Sequence, residues 1–208
     1  MKPLRVLIIG AGSRGTTYAW YIQKHPEDAV VVGVADPIEF RRNRVAGMFA
    51  IPDENVWNDW TGAVGRGSLA DAVILATPDS LHVEPAIAMA KEGYHILLEK
   101  PMAPSQEDCR QIIHAVRQRG DIHFAVCHVM RYTSYTQRLK GVLDSGRIGE
   151  IVNVQHIEPV GYWHQAHSFV RGNWRNEAES SFMLLAKSCH DIDWLRYVVG
   201  RACRRVSS

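Results

Sequence analysis

Short apolar runs alternate with segments of helical composition over the first 129 residues, and this alternation constrains the fold most. The apolar runs predict strands at residues 4–9, 30–35, 71–76, 94–98 and 124–129. The segments between them predict helices at residues 16–24, 39–48, 81–92 and 106–119. Apolar strands that alternate with helices form parallel sheets through βαβ crossovers. The sequence therefore predicts a doubly wound α/β domain over residues 1–129.

The pattern changes after residue 130. Helices are predicted at 136–144 and 191–199, a half-buried strand at 149–158 and a short apolar segment at 182–186. These elements predict the start of a second, α+β domain over residues 130–208. The chain ends where another strand is expected, so we expect this second domain to be incomplete, with open strand edges.

Charge and cysteine content exclude several classes of partner. A net charge of +2 gives no reason to expect binding to nucleic acid or to an anionic membrane. The four cysteines form no CxxC pair, which argues against a zinc knuckle or a redox dithiol and favours a reducing compartment. No apolar run is long enough for a signal sequence or a membrane span, so a cytoplasmic protein is expected.

A GxGxxG motif follows the first predicted strand and opens the first predicted helix. Gly10 permits a tight turn, Gly12 lets a pyrophosphate approach the backbone, and Gly15 lets helix and strand pack closely. The helix N-terminus offers N–H groups and a positive dipole end to phosphates. Ser13 and Arg14, which lie inside the motif, are assigned to the same dinucleotide site, and the domain is predicted to be of the Rossmann type.

Asp36 ends the second predicted strand, 21 residues after Gly15. An acidic side chain at this point accepts hydrogen bonds from the ribose hydroxyls and repels a 2′-phosphate, so NAD is the predicted cofactor. NADP stays open because Arg41 and Arg42 follow closely. The alternative interpretation is that Asp36 only starts a turn before Pro37.

Further motifs resemble those of the glucose–fructose oxidoreductase and inositol dehydrogenase family, Gfo/Idh/MocA. They are the glycine motif and the segments 76–82 (ATPDSLH), 99–101 (EKP), 131–132 (RY) and 189–193 (CHDID). The resemblance implies a Rossmann domain followed by an α/β domain with an open, mostly antiparallel sheet. It also implies hydride transfer between NAD(P) and a sugar- or polyol-like substrate, and homo-oligomers among full-length members.

Lys100 and His190 are the predicted catalytic residues. Lys100 follows a parallel strand at its carboxyl end, where a lysine can stabilise developing alkoxide charge, although on placement alone a surface lysine is the simpler interpretation. The resemblance implies that His190 exchanges the hydroxyl proton, and the ordinary pKa of histidine suits that role. The alternative is a histidine that precedes a helix and is satisfied by the backbone.

One position departs from the family pattern. Many members carry an aspartate four residues before the catalytic histidine, where this chain has Ala186. Either Lys187 takes over part of the chemistry, or this branch binds its substrate differently. Glu158 and Glu179 are alternative carboxylates that would orient His190.

The resemblance assigns several further residues to the cofactor site. His82 is implied near the nicotinamide, with a solvent-facing position at the start of a helix as the alternative, and Thr77, Pro78 and Glu99 are expected to shape the pocket. Arg131 is predicted either to contact substrate or to form a salt bridge.

Residues 161–176 are rich in aromatic, histidine and arginine side chains. Aromatic faces and arginine donors suit a sugar-like or carboxylated substrate, while a packed loop is the alternative. The predicted substrate contacts are Tyr162, Trp163, His164, His167, Arg171, Trp174 and Arg175. The spacing of His164 and His167 would suit a metal, but no acidic third ligand lies nearby, so none is predicted.

The sequence thus predicts an NAD(P)-dependent oxidoreductase that acts on a sugar- or polyol-like substrate. Two alternatives stay open. One is a non-catalytic nucleotide-binding paralogue or fragment, and the other is lyase chemistry of the kind that NAD-dependent glycosidases perform.

Overall fold

The computed structural model describes residues 2–66, 69–177 and 179–207, and the chain forms two compact units, Met1–Cys127 and His128–Ser208. The first unit contains one six-stranded parallel sheet with the strand order β3-β2-β1-β4-β5-β6. Its strands are β1 (Leu4–Ile9), β2 (Ala29–Ala35), β3 (Val56–Trp57), β4 (Ala72–Leu75), β5 (His95–Leu98) and β6 (Phe124–Val126). Its helices are α1 (Ser13–Lys24), α2 (Glu39–Phe49), α3 (Val83–Glu92) and α4 (Gln106–Arg119). This is the predicted Rossmann architecture.

Apolar cores cover both faces of the sheet, as the continuous apolar character of the strands predicts. Alternate residues of β1 divide between the two cores. Leu7 and Ile9 belong to the core that includes residues of α3 and α4, whereas Val6 and Ile8 belong to the core that includes residues of α1 and α2. The sheet is therefore held from both sides, and only its strand ends are available for a ligand.

Most predicted boundaries in the first unit are confirmed to within three residues. β1 and α4 have the predicted bounds, and α4 ends at Gly120 in the left-handed conformation. The last strand is shorter than predicted, because β6 ends at Val126 and a 3₁₀ turn follows at Val129–Tyr132. Short 3₁₀ turns also fill the irregular segment around β3 and precede α3.

The second unit is helical in its described residues, and the prediction of a strand at 149–158 is wrong. Its elements are α5 (Ser134–Asp144), α6 (Tyr162–His164), a π-helix (Gln165–Val170) and α7 (Met183–Val199). Residues 150–160 carry alternating apolar side chains but no regular secondary structure. A strand is stable only beside another strand, and the described part of this unit contains none.

α7 is one continuous helix, where the sequence predicted a separate apolar segment and a helix starting at residue 191. His190 therefore lies inside the helix and does not precede it. The helix ends at Gly200, as predicted. Among the described residues, no helix combines the length and the apolar character that a membrane crossing requires.

Candidate functional site

The glycine motif lies at the carboxyl edge of the sheet, where the strand order reverses between β1 and β4. Gly10 follows β1 with a φ of +92°, and a Cβ atom there would lie 2.5 Å from the carbonyl oxygen of Ala76. The backbone turns that follow β1 and β4 therefore touch directly at Gly10. In open α/β sheets, such a switch point is where ligands bind.

Positions 12 and 15 differ in what an added side chain would meet. A Cβ atom on Gly15 would lie 1.9 Å from the carbonyl oxygen of Gly10, so Gly15 is required for packing. A Cβ atom on Gly12 would meet only the Arg41 guanidinium, at 3.8 Å. The space beside Gly12 is therefore open to a ligand, while the space beside Gly15 is filled by protein.

The N-terminus of α1 opens towards that space. Gly12 is its N-cap residue and supplies no side-chain hydrogen bond to the first turn. Ser13 and Arg14 lie in this first turn with exposed side chains, and Arg14 Nε is 3.9 Å from Glu99 Oε1. Backbone N–H groups at a helix start bind anions well, so these residues form a candidate phosphate cradle.

Asp36 is buried and stabilises the glycine loop. Its Oδ2 accepts a hydrogen bond from the Ala11 N–H at 2.7 Å, and its Oδ1 accepts one from the Ile38 N–H at 2.8 Å. The contact with Ile38 closes a turn at Pro37, as the alternative interpretation of Asp36 predicted. A carboxylate offers about four acceptor positions, so these two bonds leave capacity for ribose hydroxyls. Arg42 donates to the backbone carbonyls of Asp36 and Pro37, at 3.3 and 3.2 Å.

Lys100 lies just beyond the end of β5, beside a buried hydrogen-bond network. Glu99 is 8% exposed, and its Oε2 accepts a hydrogen bond from the Lys100 N–H at 3.1 Å. Its Oε1 accepts one from the Tyr18 hydroxyl at 2.7 Å. Tyr18 was not predicted, because only the tertiary fold brings α1 next to the end of β5.

Cys127 is a buried member of the same network. The Tyr18 hydroxyl lies 3.1 Å from Cys127 Sγ. Burial raises the pKa of the Cys127 thiol to about 11. Burial also raises the pKa of Tyr18, and hydrogen bonds with Cys127 and Glu99 add to that effect. Both groups are therefore protonated near neutral pH, and Tyr18 acts as the hydrogen-bond donor to Glu99.

His82 is buried, so its predicted solvent-facing alternative is wrong: only 1% of the residue is exposed. Its Nε2 lies 3.0 Å from the carbonyl oxygen of Thr77, and its Nδ1 lies 3.0 and 3.2 Å from those of Pro101 and Met102. The imidazole thus links the loop after β4 to the loop that carries Lys100. Thr77 itself is half-buried, and Pro78 is exposed.

Arg131 forms the predicted salt bridge in the second unit. Its Nε and Nη2 donate to the two oxygens of Asp193 at 2.7 and 2.5 Å, and its guanidinium lies 5.3 Å from the centre of the Tyr197 ring. Burial alone would raise the pKa of Asp193, but the hydrogen bond with Arg131 and the nearby His128 hold it below the ordinary value. Arg131 therefore fastens α7 to the turn that precedes α5.

α7 carries Lys187 and His190, and two of its polar contacts reach residues 150–160. Lys187 Nζ lies 2.9 Å from Glu158 Oε1, and His156 Nε2 lies 2.7 Å from Asp191 Oδ1. The prediction that Glu158 orients His190 gains no support, since Glu158 pairs with Lys187. The His190 ring lies edge-on to His128, with ring centroids 6.0 Å apart.

The other proposed carboxylate, Glu179, accepts a hydrogen bond from the Asn176 side chain at 3.1 Å. The predicted substrate contacts lie in the segment just before it. His167, Arg171 and Trp174 line a cavity of about 470 Å³.

The remaining predicted substrate contacts lie around that cavity or in solvent. Trp163 stacks on His167 with ring centroids 5.4 Å apart, and His164 stacks on Phe169. Tyr162 and Arg175 are exposed. A π-helix at Gln165–Val170 shapes the segment, and π-helical turns frequently occur at functional sites.

Comparison with known proteins identifies both units. A family model described as an oxidoreductase family with an NAD-binding Rossmann fold matches residues 4–128. The model of the GFO/IDH/MocA C-terminal domain matches residues 136–208. Together the two matches cover most of both units.

Individual relatives have different activities. The 2,7-anhydro-N-acetylneuraminate hydratase of Escherichia coli K12 is 30% identical over 193 residues, covering 93% of this chain and 49% of the relative. Inositol 2-dehydrogenase 2 of Saccharopolyspora erythraea is 28% identical over 199 residues, covering 95% and 54%. The WlbA dehydrogenase of Bordetella pertussis, solved with NADH and UDP-GlcNAcA, superposes with a TM-score of 0.76 at 25% identity, covering 95% and 58%. The chain spans about half the length of the curated relatives it matches.

Proposed function

The chain belongs to the Gfo/Idh/MocA family of oxidoreductases, and residues 4–128 form its NAD-binding Rossmann domain. On that premise, we propose that it takes part in hydride transfer between NAD and a hydroxyl or carbonyl carbon of a sugar- or polyol-like substrate. The observation that carries this proposal is the open space beside Gly12, at the start of α1 and at the switch point of the sheet.

The residues around that space fit a dinucleotide. Backbone N–H groups of the first turn of α1 would hold the pyrophosphate, with Arg14 adding positive charge. Asp36 would accept hydrogen bonds from the ribose hydroxyls and disfavour a 2′-phosphate, so NAD is favoured over NADP. When bound, NAD supplies the hydride acceptor or donor.

Lys100 is the residue that we propose to act on the reacting oxygen. Its backbone is held by Glu99, and the loop that follows it is held by His82. With its backbone held in this way, the Lys100 side chain would donate a hydrogen bond to the substrate hydroxyl and stabilise the negative charge that develops there. His190 and Lys187 of the second unit are the proposed proton-exchanging groups, although the ion pair with Glu158 occupies Lys187.

The relatives and the aromatic segment support the proposed substrate class. An inositol dehydrogenase and a sugar-nucleotide-bound dehydrogenase are among the similar proteins. The cavity at His167, Arg171 and Trp174 offers an aromatic face and a guanidinium donor. Polyhydroxylated or carboxylated sugars present complementary groups.

A hydratase or lyase is the second candidate function. Two relatives at 30% identity are 2,7-anhydro-N-acetylneuraminate hydratases. Ala186, which stands where many family members carry an aspartate, instead favours the alternative of a non-catalytic nucleotide-binding paralogue. Hydration adds water to the substrate without net oxidation, so the cofactor would return to its starting state after each turnover.

The first test is a titration of the 208-residue chain with NADH and NADPH, followed by fluorescence transfer from tryptophan to the nicotinamide. We expect saturable binding of NADH and weaker binding of NADPH. Gly12→Val should fold but lose binding, since its side chain fills the space that the pyrophosphate would occupy. Gly47→Ala is the matched control, because a Cβ atom at Gly47 meets nothing within 4 Å. A folded chain that binds neither nucleotide would contradict the proposal.

The second test measures turnover of the chain with inositols, levoglucosan and anhydro-sugars. Absorbance at 340 nm reports net NADH, and mass spectrometry reports product. Lys100→Ala should lower kcat by at least about 100-fold and leave NADH affinity nearly unchanged. Product that forms without net NADH would favour the hydratase, and near-normal turnover of Lys100→Ala would refute the role of Lys100.

A further inference from the structure

Three side chains with metal-binding atoms converge on α7 of the second unit. They are His156, Glu158 and Asp191, and their ligand atoms all lie within 4.8 Å of one another. His156 and Glu158 come from a segment without regular secondary structure, whereas Asp191 lies on α7. Ligands from two separate segments therefore meet at one point, which local sequence spacing alone does not produce.

The packing around the cluster limits its freedom to move. The imidazole of His156 lies against the Trp194 ring, with centroids 5.1 Å apart. The side chains of His156 and Asp191 are 26% and 16% exposed and that of Glu158 is 38% exposed, so all three ligand groups are reachable from solvent. The Trp194 ring thus restricts the His156 imidazole, and the α7 backbone restricts Asp191.

The charge of the cluster also attracts a cation. Two carboxylates and one imidazole face each other, and the Lys187 ammonium lies 2.9 Å from Glu158. That ammonium neutralises the Glu158 carboxylate, whereas the Asp191 carboxylate pairs with the His156 imidazole. Lys187 is consequently a competitor for the position that a divalent cation would take.

We propose that His156, Glu158 and Asp191 bind a divalent transition-metal ion, with Zn²⁺ as the preferred ion. One imidazole and two carboxylates are a ligand set that suits Zn²⁺, Mn²⁺ and Fe²⁺, and Zn²⁺ binds such sites more tightly than the other two. Bonds of about 2.0–2.2 Å place tetrahedral ligand atoms roughly 3.3–3.6 Å apart, so small side-chain movements convert the present geometry into a bound one.

Three protein ligands leave at least one coordination position open. That position accepts water or an oxygen of a polyhydroxylated ligand. The site therefore lies outside the assigned nucleotide-binding function, and its occupancy is measured independently of NADH binding.

A second cluster in the described residues provides the control. His25, Glu27 and Asp28 also lie within the same distance limit. They come from one short loop, and the side chains of His25 and Glu27 are 40% and 68% exposed. Flexible, exposed ligands lose more conformational entropy on binding, so this cluster is expected to bind weakly.

The experiment titrates the full chain with Co²⁺ and follows the d–d absorption bands, with displacement by Zn²⁺ as a second readout. We expect one saturable site. His156→Phe keeps an aromatic ring against Trp194 but removes the ligand nitrogen, and it should weaken Co²⁺ binding by about tenfold or more. His25→Ala should leave the affinity unchanged, and circular dichroism verifies that each variant is folded.

Lys187→Met tests the competition directly. Removing the ammonium frees Glu158 for the metal, so the affinity for Co²⁺ should rise by about fivefold to tenfold, which corresponds to one surface ion pair of roughly 1 kcal/mol. An unchanged affinity in Lys187→Met would overturn the assignment of Glu158 as a ligand. No saturable Co²⁺ binding by the folded chain, or binding that depends on His25, would overturn the site.

Discussion

Replacing Gly15 by alanine is the sharpest test of how the glycine loop is built. The added Cβ atom would lie 1.9 Å from the Gly10 carbonyl oxygen and 3.3 Å from Ile8 Cγ2. An ordinary contact to that oxygen is about 3.4 Å, so α1 and the glycine loop must separate by about 1.5 Å. The obstacle is backbone, which cannot rotate away as a side chain does. Overpacking of this kind costs about 1–3 kcal/mol, and occasionally more, so we expect a loss of about 3 kcal/mol.

Urea unfolding followed by far-ultraviolet circular dichroism measures this loss without any ligand. Gly47→Ala is the matched control, because Gly47 lies inside α2 and a Cβ atom added there would meet nothing within 4 Å. Alanine there should raise the free energy of unfolding by about 0.5–1 kcal/mol through helix propensity. If Gly15→Ala is too unstable to purify, the same substitution is measured in the Gly47→Ala background. A loss below about 1 kcal/mol at Gly15 would refute the packing argument.

Three further predictions concern buried polar groups. His82→Leu removes the imidazole N–H that donates to the carbonyl oxygen of either Thr77 or Pro101. It should lower the free energy of unfolding by about 1–3 kcal/mol, measured by urea unfolding; an unchanged midpoint would contradict the contact. The pKa of Cys127 is raised to about 11, so iodoacetamide at pH 8 should label Cys127 far more slowly than the exposed Cys203. Mass spectrometry of the peptides measures both rates, and equal rates would exclude the burial of Cys127. The lowered pKa of Asp193 contributes stability above the unfolded pKa of about 3.9, and this stability is lost as the pH falls through the folded value. The protection factors of the α7 amides, which correct for the pH dependence of intrinsic hydrogen exchange, should therefore fall below about pH 4, and Arg131→Met should flatten that dependence; parallel pH profiles would refute the linkage.

The first unit was predictable because its signals are local and agree with one another. The apolar run of β1, the glycines after it and Asp36 at the end of β2 follow in the order that a βαβ unit requires. Gly120 terminates α4 through its positive φ, which few other residues adopt. Each of these features acts within a few residues, so the sequence alone reveals it.

Contacts between distant segments were not predictable. The Tyr18 hydroxyl reaches Glu99 across 81 residues of sequence, and nothing about a tyrosine in a helix indicates such a partner. The alternation at residues 149–158 predicts a strand, but a strand also needs a neighbour to pair with, and alternation carries no information about that neighbour. For α7, the polar residues from Lys187 to Asp191 interrupt the apolar pattern, although the backbone continues through them as helix.

α7 carries the residues that we propose to exchange protons, so we expect it to determine the reaction type. On the proposed function, the glycine loop, Asp36 and Lys100 would serve oxidation and hydration alike, and the hydratase and dehydrogenase relatives match almost the same part of the chain.

On α7, Ala186 is 4% exposed, so an aspartate at that position would be a buried charge in need of a partner. The chain instead places its helix carboxylates at Asp191 and Asp193, where His156 and Arg131 pair with them. His156 is one imidazole of the second unit that pairs with a carboxylate of this helix. On either proposed function we expect substitutions at these pairs to change the chemistry on the substrate, whereas substitutions in the glycine loop should weaken nucleotide binding.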